Sequence, residues 1–131
     1  MKERKIVSTE KAPAAIGAYS QANVLGGDLI ITSGQIPIDP STGELVGFTV
    51  TSQTEQVIEN LKAIIEAAGS SLNDVVKTTV YLTDIGSFSE FNEVYSRYFN
   101  GDALPSRTTV EVTELPRGSL VEIEAIAIKN S

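Results

Sequence analysis

The sequence predicts an α+β domain, and three observations carry that prediction. Two stretches with apolar residues at helical spacing each lead into a β-branched run, so the element order reads strands, helix, strand, helix, strand, strand. Helices long enough to cover one face of a single sheet leave the other face to be buried elsewhere. The last run meets that need, because alternation puts Leu120, Glu122, Glu124, Ile126 and Ile128 on one side and Val121, Ile123, Ala125 and Ala127 on the other. Both sides are mostly apolar, which points to subunit association as the cover for the second face. A chain of 131 residues is one domain's worth, spanning 1–131 with one core.

The elements follow in order. Residues 1–10 read as an exposed lead-in with a short strand at Ile6-Val7, and the stretch from Pro13 to Tyr19 is irregular. Two short strands, Ala22 to Leu25 and Leu29 to Thr32, flank Gly26-Gly27-Asp28, a hairpin signal because glycine supplies the positive φ of tight turns. Ser33 to Glu44 carries two prolines and two glycines and is a loop. Gly34 reads there as a plain turn glycine, or as a position whose missing Cβ lets its backbone approach a ligand.

The first helix shows Val57, Ile58, Leu61, Ile64, Ile65 and Ala68 on one stripe, with Ser52-x-x-Glu55 as a capping box and Gly69 as the stop. Val75 to Leu82 is a β-branched strand. A second helix spans about Phe88 to Phe99, opened by Ser87-x-x-Glu90. Its aromatic stripe is assigned to the core, and Asn92 among those rings reads as a solvated polar residue. Asn100-Gly101 breaks the helix before the strand that carries Arg107.

Composition removes whole classes of chemistry. There is no cysteine and no histidine, so thiolate nucleophiles, disulfides, zinc sites of the usual kind and Ser-His-Asp triads are all excluded. Calcium-loop spacing is also missing, although a carboxylate-only site for a hard cation stays open. The net charge of -7, from 17 acidic and 10 basic residues, argues against nucleic acid as the main partner. No apolar run reaches the ~18 residues a membrane helix needs. The basic start Met1-Lys2-Glu3-Arg4-Lys5 is not followed by an apolar signal region, so no membrane partner and a cytoplasmic location are expected.

The charges with the most to say sit in the last third. Glu122 and Glu124 fall within an apolar strand, and a buried carboxylate needs a cation, a donor or a proton. Arg107, after Pro105 in the preceding strand, offers a planar two-pronged donor, so it answers either a glutamate or a ligand.

The run Pro105-Ser106-Arg107-Thr108-Thr109-Val110-Glu111-Val112, then Leu115-Pro116, then Val121 to Ala127, closely resembles the signature of the RidA (YjgF) family, the reactive-intermediate imine deaminases also labelled endoribonuclease L-PSP or translation initiation inhibitors. Further matches lie at Ala12 to Ala22 and at Ile30 to Pro37, so the resemblance covers nearly the whole chain. It implies a chorismate-mutase-like α+β fold, with a mixed sheet, two helices on one face, and a homotrimer built around a central β-barrel with clefts between subunits. It implies hydrolysis of 2-enamino and 2-imino acids, such as 2-aminocrotonate and 2-iminobutanoate, to 2-oxo acids and ammonia without a cofactor. Carried over by motif, Arg107 would hold the substrate carboxylate, and Glu122 would hold the attacking water or exchange protons with the nitrogen. Tyr19, counted with Arg107 and Glu122 as catalytic, would wall the cleft and hydrogen-bond the intermediate, while Ser33, the Gly34 N–H, Asn92 and Thr109 would contact the substrate.

Two positions depart from the pattern. Thr109 stands where many relatives carry cysteine, which removes thiol chemistry, and Ala18 stands in Gly17-Ala18-Tyr19 where relatives often have proline. Glu124 keeps a structural reading. Two other functions stay open: a non-catalytic trimer that binds small carboxylates in the same cleft, and a ribonuclease, against which the acidic balance and missing histidine argue.

Overall fold

The computed structural model describes residues 3–129, so Met1 and Lys2 of the lead-in lie outside it. Its strands are β1 (Arg4–Val7), β2 (Ala22–Leu25), β3 (Leu29–Thr32), β4 (Val75–Leu82), β5 (Ser106–Glu111) and β6 (Val121–Ile128), with helices α1 (Val50–Ala67) and α2 (Phe88–Tyr98). All six strands form one mixed sheet in the order β1-β2-β3-β6-β4-β5. Only β4 and β5 run parallel, because α2 carries the chain back across the sheet between them. The expected two-residue strand in the lead-in is a four-residue edge strand, paired with β2 from Arg4 to Val7.

The core lies between the sheet and the helices. Val57, Ile58, Leu61, Ile64 and Ile65 of α1 are fully buried, as are Val80 and Leu82 of β4 and Val121, Ile123 and Ala127 of β6. Each such side chain contributes roughly 1.5–3 kcal/mol through removal from water. The other sheet face has no helix on it, and Leu29, Ile31, Val110 and Ile128 remain exposed there. No described helix is long and apolar enough to cross a membrane.

Both expected capping boxes are corrected. α1 starts earlier than Ser52, and its cap is Thr49, whose side chain accepts from the Ser52 N–H at 3.1 Å. Ser87 makes no side-chain cap to α2; a 3-10 turn at Ile85–Ser87 precedes that helix and is capped by Asp84. Serine followed by glutamate three residues later is common on any helix surface, so the pattern alone does not mark a first turn. Gly69 does end α1, at φ +94, and Ser70 N–H and Gly69 N–H return to the carbonyls of Ile65 and Glu66.

Buried amides tie the loops to this core. Asn60 donates to the carbonyls of Ile36 at 3.2 Å and Ile38 at 2.9 Å, holding the segment after β3, while its own oxygen accepts from Gln56. Gln53 joins the Gly47 carbonyl to the Leu120 N–H. Gln21 accepts from the Thr9 N–H at 2.7 Å and donates to the carbonyls of Thr9 and Pro13, which closes the irregular stretch before Tyr19. An Asn60→Ala replacement leaves the Ile38 carbonyl without its described donor, while the Ile36 carbonyl keeps the Ile38 N–H at 2.8 Å, so stability measured by chemical denaturation at fixed protein concentration should fall by about 1–2 kcal/mol. A fall below about 0.5 kcal/mol would show that water takes over the Ile38 carbonyl.

Candidate functional site

The seven residues singled out from the sequence gather into two groups, and the groups lie on opposite faces of the sheet. Side chains alternate along β6, so burial of Val121, Ile123 and Ala125 against the helices turns Glu122 and Glu124 to the open face. Tyr81, opposite Glu122 in register, and Thr79, opposite Glu124, share that face. Arg107 pairs in register with Thr78, and Thr109 with Val80, both fully buried under the helices. Arg107 and Thr109 therefore belong to the helix face. The sequence's first alternative, an Arg107 to glutamate pair between neighbouring strands, does not form within one copy, and no carboxylate pairs with Arg107 among the described residues.

The open-face group is Tyr19, Ser33, Gly34 and Glu122. Ile31 pairs with Ile126, yet Gln35 bridges to Ile123, so four steps along one strand span three along the other. That extra residue is a bulge. Within it the Thr32 hydroxyl accepts from the Ala125 N–H at 3.0 Å in place of a ladder bond. The bulge presses Gly34 against the Glu122 carboxylate so closely that a Cβ at Gly34 would overlap Oε2. Glycine at position 34 is thus required by its contact with Glu122, beyond the needs of a plain turn. Ser33 is turned the other way, donating from Oγ to the Ser20 carbonyl at 2.5 Å, which anchors the residue next to Tyr19. Gly17, at φ +141, lets the chain turn under the half-exposed Tyr19 ring. Tyr19 and Gly34 also line a cavity of about 230 Å³ with Ile16, Ile36 and Arg117. Sequence reading missed Arg117, whose backbone sits at φ +59 and whose side chain donates to the Gly43 carbonyl at 3.0 Å.

Glu122 is half-buried and its carboxylate has no hydrogen-bond donor among the described residues. Its pKa is raised, first by desolvation and then by the neighbouring Glu124 carboxylate. Glu124 accepts from the Tyr81 hydroxyl at 3.1 Å, and the Tyr81 pKa is raised by desolvation and by that carboxylate. Glu124 thus has a hydrogen-bond donor, while Glu122 has none among the described residues.

The helix-face group is Arg107, Asn92 and Thr109. Asn92 is not a plain solvated polar residue: its Oδ1 accepts from Arg107 Nη1 at 2.7 Å. The guanidinium carbon lies 5.2 Å from the Phe88 ring centre and 4.8 Å from that of Tyr95. Thr109 Oγ1 is buried without a partner among the described residues. The aromatic stripe is otherwise core, with Phe91, Val94, Tyr95 and Phe99 buried. The half-buried Phe88 and the Tyr95 face that meets Arg107 are the part that sequence reading did not separate from the core. Among the described residues no group of three or more Asp or Glu side chains is placed to hold a metal ion.

The family model described as Endoribonuclease L-PSP matches residues 9–129. The rat protein named 2-iminobutanoate/2-iminopropanoate deaminase is 53% identical over 126 residues, 96% of this chain and 90% of the rat protein. Among solved structures, YyfA of Yersinia pestis, described as a conserved Rid family protein, superposes with a TM-score of 0.93 at 46% identity, covering 96% of this chain and 99% of its own. TdcF of E. coli, solved with bound serine, gives 0.89 at 44% identity, covering 96% and 99%. A match of this extent, carried by relatives near or above half identity, makes the chain a member of the endoribonuclease L-PSP family, the RidA (YjgF/RutC) family.

Proposed function

We propose that this protein hydrolyses 2-imino and 2-enamino acids to 2-oxo acids and ammonia, in a cleft formed where two copies of a homotrimer meet. The observation that carries the reading is the presentation of Arg107. Its guanidinium makes one described hydrogen bond, to Asn92, and has no carboxylate partner among the described residues of its own chain, so donors remain for a planar acid from outside. The relative named as an iminobutanoate deaminase supplies an acid of that shape.

The opposed faces support the assembly. Arg107 and Thr109 cannot reach the same ligand as Glu122 and Gly34 of their own chain, whereas a second copy laid on the open face brings its Arg107 edge to them. The exposed Leu29, Ile31, Val110 and Ile128 supply apolar surface for such a contact. Closing the sheets of three copies in this way gives a central barrel.

In the reaction Arg107 grips the substrate carboxylate in a two-pronged pair, and Asn92 keeps the guanidinium aimed. The Gly34 N–H and the Thr109 hydroxyl contact the bound acid, with Ser33 fixing the Gly34 loop and Tyr19 closing the cleft. Water held by Glu122 adds to the C=N carbon, and its proton passes through the carboxyl group to nitrogen. The carbon–nitrogen bond then breaks, ammonia leaves and the C=O bond forms, so one water is consumed per ammonia released. An enamine first takes a proton on carbon to become the imine. Serine bound to TdcF favours a second reading, a trimer that holds small amino or oxo acids without turning them over.

Arg107→Ala should lower kcat/KM for 2-aminocrotonate by about a hundredfold or more, from two lost charge-assisted bonds, without changing oligomeric mass. Saturable 2-oxobutanoate binding with no acceleration by the unmodified protein would favour the second reading instead. Because the Glu122 pKa is raised, the carboxylate needed to activate water is lost at a higher pH than for an ordinary glutamate. The acid limb of the kcat/KM profile should therefore lie above the usual carboxyl range, move down in Glu124→Gln, and vanish in Glu122→Gln. A limb that stays put in Glu124→Gln would assign it to another group. Gly34→Ala should cost about tenfold in kcat with the thermal midpoint nearly unchanged, since the methyl group displaces the Glu122 carboxylate while the backbone tolerates alanine.

A further inference from the structure

Phe88, Asn92 and Tyr95 recur at i, i+4 and i+7, so they stand in one row on α2, and Arg107 lies against all three. The row is built into the core. Tyr95 is buried, its ring stacks on Phe99 with centroids 4.5 Å apart, and it tilts against Phe91 at 5.4 Å. Its hydroxyl meets the Thr78 hydroxyl at 2.8 Å, and Thr78 is the fully buried residue that pairs in register with Arg107. Three elements, α2, β4 and β5, thus converge on one ring.

A guanidinium laid against an aromatic face keeps its edge free, and the edge carries the donors that a carboxylate needs. Asn92 takes only one of them. An exposed arginine without such support spreads over many rotamers, and ordering it on binding costs affinity.

From this geometry we infer that Tyr95 is a positioning residue, locked by Thr78, that holds the Arg107 guanidinium in its carboxylate-binding pose before the substrate arrives. The inference rests on the deaminase reading for its substrate but not for its binding. Tyr95 touches no substrate; it acts through Arg107, so its loss weakens capture of the carboxylate more than it slows chemistry on bound substrate.

The test compares Tyr95→Leu, Tyr95→Phe and Thr78→Val with the unmodified protein in two assays: 2-aminocrotonate hydrolysis and calorimetric binding of 2-oxobutanoate. Tyr95→Leu removes the face and should raise KM and the 2-oxobutanoate Kd by about threefold to thirtyfold, with kcat changed less than about threefold. Tyr95→Phe keeps the face and should restore most of the affinity, and Thr78→Val should match Tyr95→Phe. A Tyr95→Leu protein of native oligomeric mass with unchanged Kd overturns the inference. So does a loss carried equally by Phe and Leu, or by kcat alone, because those results mark a structural or chemical role. If the unmodified protein binds 2-oxobutanoate but does not hydrolyse the enamine, the deaminase reading falls, and the Kd comparison alone decides the role of Tyr95.

Discussion

The alternation of β6 is the constraint on which the rest depends. The strand lies in the interior of the sheet, and Val121, Ile123, Ala125 and Ala127 are almost wholly removed from water by the helix layer. Period two then leaves no freedom: Glu122 and Glu124 must stand on the face without helices. A one-residue slip would drive two carboxylates into the apolar layer, at a cost of several kcal/mol each even after proton uptake. The same period, transmitted through β4 and the parallel pairing to β5, sends Arg107 to the other face. Separation of Glu122 from Arg107 is thus a consequence of sheet geometry and not of loop placement.

The open-face group depends on a second, local device. A regular β3 would have carried Ser33 and Gly34 past β6 in step, with no reason for backbone and carboxylate to meet. The bulge between Ile31 and Gln35 brings Gly34 onto Glu122, and the Thr32 hydroxyl replaces the ladder bond that the bulge gives up. Asn60, reaching from α1 to the carbonyls of Ile36 and Ile38, stops the loop from relaxing back. Polar residues inside α1 look like flaws in an apolar stripe, yet they connect the core to the candidate site.

Much of this architecture was legible because it rests on periodicity. Helix stripes, the β-branched runs, the Gly26-Gly27 turn and the two-sided last strand all follow from local pattern, and both helices lie where their stripes put them. The start of α1 was less legible than that of α2: Thr49 and not Ser52 caps α1, whereas α2 opens at Phe88 directly after Ser87, which lends it no side-chain bond. Beyond the β2–β3 hairpin, pairing partners were not legible. Which face Arg107 takes depends on β5 lying parallel to β4, a long-range fact with no local mark. The role of Asn92 depends in turn on that face. Tyr95 was assigned to the core, which is true of one side of its ring and silent about the other.

The proposed imine hydrolysis asks little of a site, so a sparse set of groups suits it. A protonated imine is already electrophilic, so the site needs orientation and one proton carrier more than a strong nucleophile. Histidine usually fills the second role because its pKa lies near neutrality. This chain has none, and Glu122 is moved upward from the ordinary glutamate range by desolvation and by a like charge two residues away. Tyr81 steadies the Glu124 charge that provides part of that push. Arginine could not serve in that place, since it does not give up its proton at working pH, but it is suited to gripping the carboxylate that every 2-imino acid carries. The proposed division of labour between the two faces matches the acid–base properties of the residues themselves: a titratable group stands where it is half out of water, and a permanent cation is cushioned on aromatic faces where it does not have to titrate.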